Sequence, residues 1–328
     1  MSGKTLTEMQ EERIKWEKER IKLQDERTAY RRTVRDQARR ETFAEQLAKR
    51  AAEADRPLPF KPSDLPERER TGECDVVAHL TDLHAGIGIS NNWNSYSEEV
   101  MINRLCEYLQ QVCDVQVRHK AENAYVILGG DLISGGIHPT LRIENNQDVI
   151  DQILTVSELL AQVLAEMSRM FSFVHVYLTP GNHGRIQANK DLDLAHENLD
   201  NLILPYLEAK LQNYPTVICH SNDIEQSVAV FTVRGNLIYA SHGDRDRYKT
   251  AAQRLTMMFG KQPDLIYLGH MHHNSYDTQA GTKVIQSGCL SGPDQYCVDK
   301  RIPGKPEQTV SVITEKGLLC LYDVRFSV

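Results

Sequence analysis

From about residue 75 onward, short apolar runs alternate with amphipathic stretches, and this alternation is what most limits the fold. The runs at 75–81 (DVVAHLT), 124–129, 173–179 and 216–219 are rich in Val, Ile, Leu and Tyr. They have the length and composition of buried strands. Between them, 96–119, 147–171 and 191–212 carry apolar residues at helical spacing, and 248–259 follows the same pattern. Strand patterns then dominate at 227–233, 236–241, 264–268, 282–287, 308–314 and 318–326. Early strand–helix alternation followed mostly by strands predicts an α/β sandwich, two sheets with helices packed outside them. His79, inside the first run, is expected to be a hydrogen-bonded core histidine.

The first 56 residues differ from the rest. Between Thr7 and Ala54 there is neither Gly nor Pro, and Met9, Trp16, Leu23 and Tyr30 recur every seven residues before the apolar step drifts toward four. This predicts one long charged helix over 1–56, either packed on its own domain or acting as a coiled-coil arm for self-association. Pro57, Pro59, Pro62 and Pro66 break that helix, which makes 57–73 a linker and 74–328 the main domain. Residues 1–56 hold 15 of the 38 Lys/Arg and 12 of the 45 Asp/Glu, so the remainder is strongly acidic within a net charge of −7. An acidic body is a poor general attractor of polyanions. The seven cysteines are scattered without a CxxC pair, as expected of reduced thiols in a cytoplasm. No apolar run approaches the roughly 18 residues of a membrane span, so no membrane partner is expected.

Chemistry gathers where the strand patterns end. The first runs into Asp82-x-His84, the second into Gly130-Asp131, and the third into Gly181-Asn182-His183. Later runs end in Ser241-His242 and in Gly269-His270-x-His272. Ligands bind at the carboxyl ends of strands in α/β sheets. Carboxylate, imidazole and amide oxygen together suit manganese, iron or zinc, and the absence of cysteine from these motifs disfavours a structural zinc site. On an extended segment, a period of two would point Asp82 and His84 to one side, and likewise His270 and His272.

In this order, the set resembles the calcineurin-like metallophosphoesterases over about residues 74–290. The resemblance implies an αββα two-sheet sandwich with two divalent metal ions at the strand ends, manganese favoured over iron, zinc or magnesium. One ion would be held by Asp82, His84, His272 and a bridging Asp131. The other would be held by Asp131, Asn182, His242 and His270. It further implies attack on phosphorus by metal-activated hydroxide, with Asp131 and His183 as the catalytic pair and His183 stabilising or protonating the leaving oxygen.

One position departs from the family. Gly-Asn-His is usually followed by Asp or Glu, whereas here Gly184 and Arg185 follow. Another acid, with Asp244 as the candidate, would have to orient His183. Arg185 is a candidate phosphate grip because a guanidinium matches phosphate geometry, and His138 and Arg142 are further substrate-contact candidates. The helical extension and the loops GGDLISGGIH, GNHGR and SGPDQY resemble phage-encoded members described as DNA exonucleases. The expected function is therefore a manganese-dependent phosphodiesterase or nuclease acting on nucleic acid, in a host cytoplasm if phage-encoded. The alternatives are a phosphomonoesterase, or a non-catalytic assembly protein that uses its N-terminal helix.

Overall fold

The computed structural model describes residues 15–28, 30–31, 69–137, 143–302 and 304–327. The chain divides into two compact units, Met1–Arg56 and Pro57–Val328. In the first, residues 15–28 are helical and expose Trp16, Ile21 and Leu23. The rest of the expected arm and most of the expected linker lie outside the described residues. No helix among the described residues is long and apolar enough to cross a membrane.

In the second unit, β1 (Cys74–Leu80), β4 (Ala124–Leu128), β5 (Val174–Leu178) and β6 (Val217–His220) run parallel in one sheet. β12 (Glu307–Thr314) and β13 (Gly317–Arg325) extend it antiparallel, giving the order β13-β12-β1-β4-β5-β6. The second sheet has the order β10-β11-β9-β8-β7. Its members are β7 (Val228–Val233), β8 (Asn236–Ser241), β9 (Leu265–Leu268), β10 (Ser275–Gln279) and β11 (Thr282–Gln286). Between the sheets Val77, Ile127 and Tyr177 meet Phe231, Ile238, Leu265, Tyr267 and Ile285. Helix α4 (Ala251–Phe259) covers the outer face of the second sheet through Ala252 and Leu255. Helices α1 (Glu98–His119) and α2 (Val149–Ser168) pack on the first sheet. Every residue of β1 is buried, as expected of a parallel strand covered on both faces.

Local chemistry sets the helix ends. Ser97 caps α1 by accepting from the Val100 amide, and Glu98 and Glu99 sit in its positive first turn. Asp148 caps α2 by accepting from Ile150 and Asp151. The helix expected over 191–212 is mostly a series of 3₁₀ turns, and only α3 (Ile203–Lys210) is α-helical. Its first half is rich in Asp and Asn, whose side chains bind nearby backbone instead: Asn198 Oδ1 accepts from the Asp200 amide. The ribbon of β2 (Ile89–Ser90) with β3 (Ser95–Tyr96), the exposed edge strand β10, and α5 (Gln295–Lys300) had no clear sequence pattern. His79 is fully buried as expected, but neither ring nitrogen has a hydrogen-bond partner. Its ring meets Tyr267 edge-on.

Register is what places the site. Leu80 pairs with Leu128 and Leu128 with Leu178, so β1, β4 and β5 end level. Ser241 pairs with Leu268, so β8 and β9 end level as well. A buried arginine secures the loop beyond β11: Arg104 Nη1 donates to the carbonyls of Leu290 and Ser291, both at 2.9 Å. Its Nη2 donates to Asn94 Oδ1 at 3.0 Å. Replacing Arg104 with Ala strands these acceptors and should cost about 3 kcal/mol. Urea unfolding checks this, and a loss below about 1 kcal/mol would remove Arg104 from that role.

Candidate metal centre

The strand-end residues converge, though not by the expected route. Asp82 (φ 53°), His84 (φ 47°), Asp131 (φ 49°), His270 (φ 69°) and His272 (φ 57°) all have left-handed backbone. Alternation along an extended strand therefore does not bring Asp82 and His84, or His270 and His272, together. Each chain turns sharply after its strand, at a cost of about 1–2 kcal/mol per residue. Such conformations persist only where surrounding contacts hold them.

Those contacts are specific. Asp82 Oδ2 accepts from the Thr81 hydroxyl at 2.7 Å and from the His270 amide at 3.0 Å. That leaves Asp82 Oδ1 facing His272 Nε2 at 3.2 Å and His84 Nε2 at 3.8 Å. The two Nε2 atoms are themselves 3.4 Å apart. Asp131 Oδ1 accepts from the His183 amide at 2.7 Å, and Asp131 Oδ2 faces His242 Nε2 at 3.1 Å. His242 Nδ1 lies 2.8 Å from the Gly129 carbonyl, which can accept only from a protonated nitrogen, so Nε2 is aimed at the site.

Among the described residues, three groups of side chains bring potential ligand atoms within 4.8 Å of one another: His84/His272/Cys289, His84/Asp131/His183 and Asp131/His242/His270. Asp82 Oδ1, Asn182 Oδ1 and His242 Nε2 are buried without a hydrogen-bond partner. Buried polar atoms left this way are costly unless something else meets them. A cluster of imidazoles around the unpartnered oxygens of Asp82 and Asn182 fits divalent cations.

The two carboxylates draw positive charge toward the site. Burial works against ionising Asp131, but His242 and His183 outweigh it and hold its pKa well below the usual carboxylate range. Burial likewise opposes a charged His242, yet Asp131 and Asp82 push its pKa up to about 10.

His183 has a different partner from the one expected. Its Nδ1 lies 2.9 Å from the Ser134 carbonyl, so a backbone oxygen orients the ring in place of Asp244. Burial lowers its pKa to about 4 against the opposing pull of Asp131. The structure also explains Gly184, because a Cβ there would lie 2.1 Å from Asn198 Oδ1. That asparagine is already engaged, donating to the Gly181 carbonyl at 2.6 Å. Gly181 is similarly enforced, since its Cβ would meet the Asp131 amide at 2.1 Å.

Arg185 is only 4% exposed, and its Nε donates to the Asn182 carbonyl at 2.9 Å. It braces the loop that carries Asn182. His138 and Arg142 lie outside the described residues. Beside Asn182 and His242 opens a small cleft walled by Asp193, Asp244, Arg245 and Asp246.

A sequence model of the calcineurin-like phosphoesterase family matches residues 76–281. The chain belongs to that family. Membership implies metal-dependent phosphoester hydrolysis. The chain is also 25% identical over 338 residues to the SPbeta prophage-derived uncharacterized protein YonJ of Bacillus subtilis (strain 168), covering 98% of this chain and 81% of that protein. Among solved structures, a novel archaeal phosphodiesterase is 12% identical, covering 76% of this chain and 99% of its own, with a TM-score of 0.37. Vacuolar protein sorting 29 from Cryptosporidium parvum is 12% identical, covering 78% and 100%, with a TM-score of 0.36.

One residue of this region has no motif to announce it. Asp200 is fully buried, and its Oδ2 accepts from the amides of Asp131 (3.0 Å) and Gly181 (2.9 Å). It thus ties the β4 loop to the β5 loop. Burial and the neighbouring Asp131 raise its pKa to about 6. Changing Asp200 to Ala should destabilise the chain by about 2–3 kcal/mol and weaken divalent-metal binding by about 10–100-fold. Thermal unfolding and metal titration read the two effects separately, and unaltered metal affinity would deny Asp200 its positioning role.

Proposed function

We propose that the chain is a dinuclear-metal phosphodiesterase acting on nucleic acid. In this reading Asp82, His84, His272 and Asp131 hold one cation, and Asp131, Asn182, His242 and His270 the other. The observation that carries it is that Asp131 belongs to two separate donor groups among the described residues, His84/Asp131/His183 and Asp131/His242/His270. Two bound cations, manganese in this reading, would supply an activated water and neutralise charge on the phosphoryl oxygens.

The chain's own residues supply the rest. Gly129 fixes the His242 tautomer, Asp200 holds the Asp131 amide, and Arg185 steadies the Asn182 loop. The cleft wall of Asp193, Asp244 and Asp246, with Arg245 bound to Asp193 at 3.0 Å, leaves excess negative charge near the site. Such a wall repels a doubly charged monoester more than an isolated, singly charged diester, and because repulsion accumulates along a polyanion it favours short or terminal nucleic-acid segments. The prophage origin in the relative's name fits a nucleic-acid substrate in a host cytoplasm. With manganese, bis-p-nitrophenyl phosphate should be hydrolysed in preference to p-nitrophenyl phosphate. Asp131→Asn should lower that rate by at least about a hundredfold, beyond what loss of an outer contact costs. Cleavage of the monoester alone would move the assignment to a phosphatase.

His183 takes a narrower role than the resemblance implies. A pKa of about 4 leaves the ring neutral at pH 7. With Nδ1–H given to Ser134, Nε2 offers a lone pair. In this reading its role is to accept a proton or a hydrogen bond. His183→Asn should slow hydrolysis about a hundredfold, by similar factors for nitrophenyl and alkyl diesters. A much larger loss on the alkyl ester, whose leaving group needs a proton, would restore the acid role.

A further inference from the structure

We propose that Cys289 is a further metal ligand, its sulfur joining the cation position built on Asp82, His84, His272 and Asp131 and making that position softer than its neighbour, so that zinc competes there with the manganese of the reading above. The proposal rests on the metal-centre reading above and adds to it a donor that no strand-end motif contains. Cys289 is fully buried, and its Sγ lies within 4.8 Å of the ligand nitrogens of both His84 and His272. Those nitrogens face one another at 3.4 Å. Asp82 Oδ1, buried and unpartnered, lies 3.2 Å from His272 Nε2. Two imidazoles and one sulfur beside a carboxylate are the nitrogen, sulfur and oxygen donors that zinc takes.

The surroundings fit a sulfur that changes state. The Cys289 thiol now donates to the Asp82 carbonyl at 3.1 Å, and its sulfur is 2.9 Å from Ser291 Oγ. When a cation binds, the S–H bond breaks, its proton passes to solvent and a metal–sulfur bond forms. The Ser291 hydroxyl can then donate to the thiolate. Arg104, through the Leu290 and Ser291 carbonyls, holds this loop in place. The position built on Asp131, Asn182, His242 and His270 offers only oxygen and nitrogen, so the two positions differ in softness. Cys297 serves as the internal control. Its sulfur is 3.9 Å from His272 Nδ1, the ring nitrogen that faces away from His84 and Asp82.

Cobalt(II) titration of the metal-free full chain tests the assignment, with stoichiometry from equilibrium dialysis and the thiolate-to-cobalt charge-transfer band read in the near ultraviolet. The band should appear in the native chain and in Cys297→Ser. It should be lost in Cys289→Ser, which should still bind cobalt. A band that survives Cys289→Ser overturns the proposal. Cobalt bound to the native chain with no such band overturns the sulfur ligand and leaves the metal centre standing, while no bound cobalt overturns both. Should Cys289→Ser fail to fold, zinc-edge X-ray absorption on Cys297→Ser decides the matter. A sulfur scatterer at about 2.3 Å supports the assignment, and nitrogen and oxygen alone at about 2.0–2.2 Å overturn it.

Discussion

Two carboxylates, Asp82 and Asp131, are buried side by side where the sheets end, and the local structure follows from the need to offset their charge. Removing an ionised carboxylate from water is expensive unless it is paired and hydrogen-bonded. One oxygen of each is met by protein donors: Thr81 and the His270 amide for Asp82, the His183 amide for Asp131. The other oxygen of each is turned toward imidazoles. This division of labour leaves an inward-facing ring of acceptors, which is the electrostatic description of a cation site.

The fold was largely legible because parallel strands buried on both faces read as continuous apolar runs, and β1 is such a run. The strand-end residues were legible because Asp, Asn and His seldom follow apolar strands without a reason. Their geometry was not. A D-x-H spacing suggests an extended segment, yet both residues turn left-handed, and only tertiary contacts decide that. Asp200 and Cys289 left no trace in the sequence, since each acts across long chain separations: Asp200 on the Asp131 amide, Cys289 on the Asp82 carbonyl. The Ser134 carbonyl that orients His183 could not be found that way either, because every residue has a carbonyl.

Gly184 shows how a departure from a family pattern can be structural in origin. An acid at that position would have to occupy the space of Asn198, whose side chain bridges the Gly181 carbonyl and the Asp200 amide. The loop has given up a neighbouring carboxylate for His183, and a network of backbone amides and carbonyls now does the orienting.

The left-handed turns at five of the strand-end residues also limit how the centre could be redesigned. Glycine, asparagine, aspartate and histidine tolerate that backbone; longer or β-branched side chains pay for it. A protein engineer could exchange Asn182, which lies outside this constraint, with less backbone penalty than Asp82 or Asp131. The evolvable positions of this centre are thus set by φ as much as by ligand chemistry.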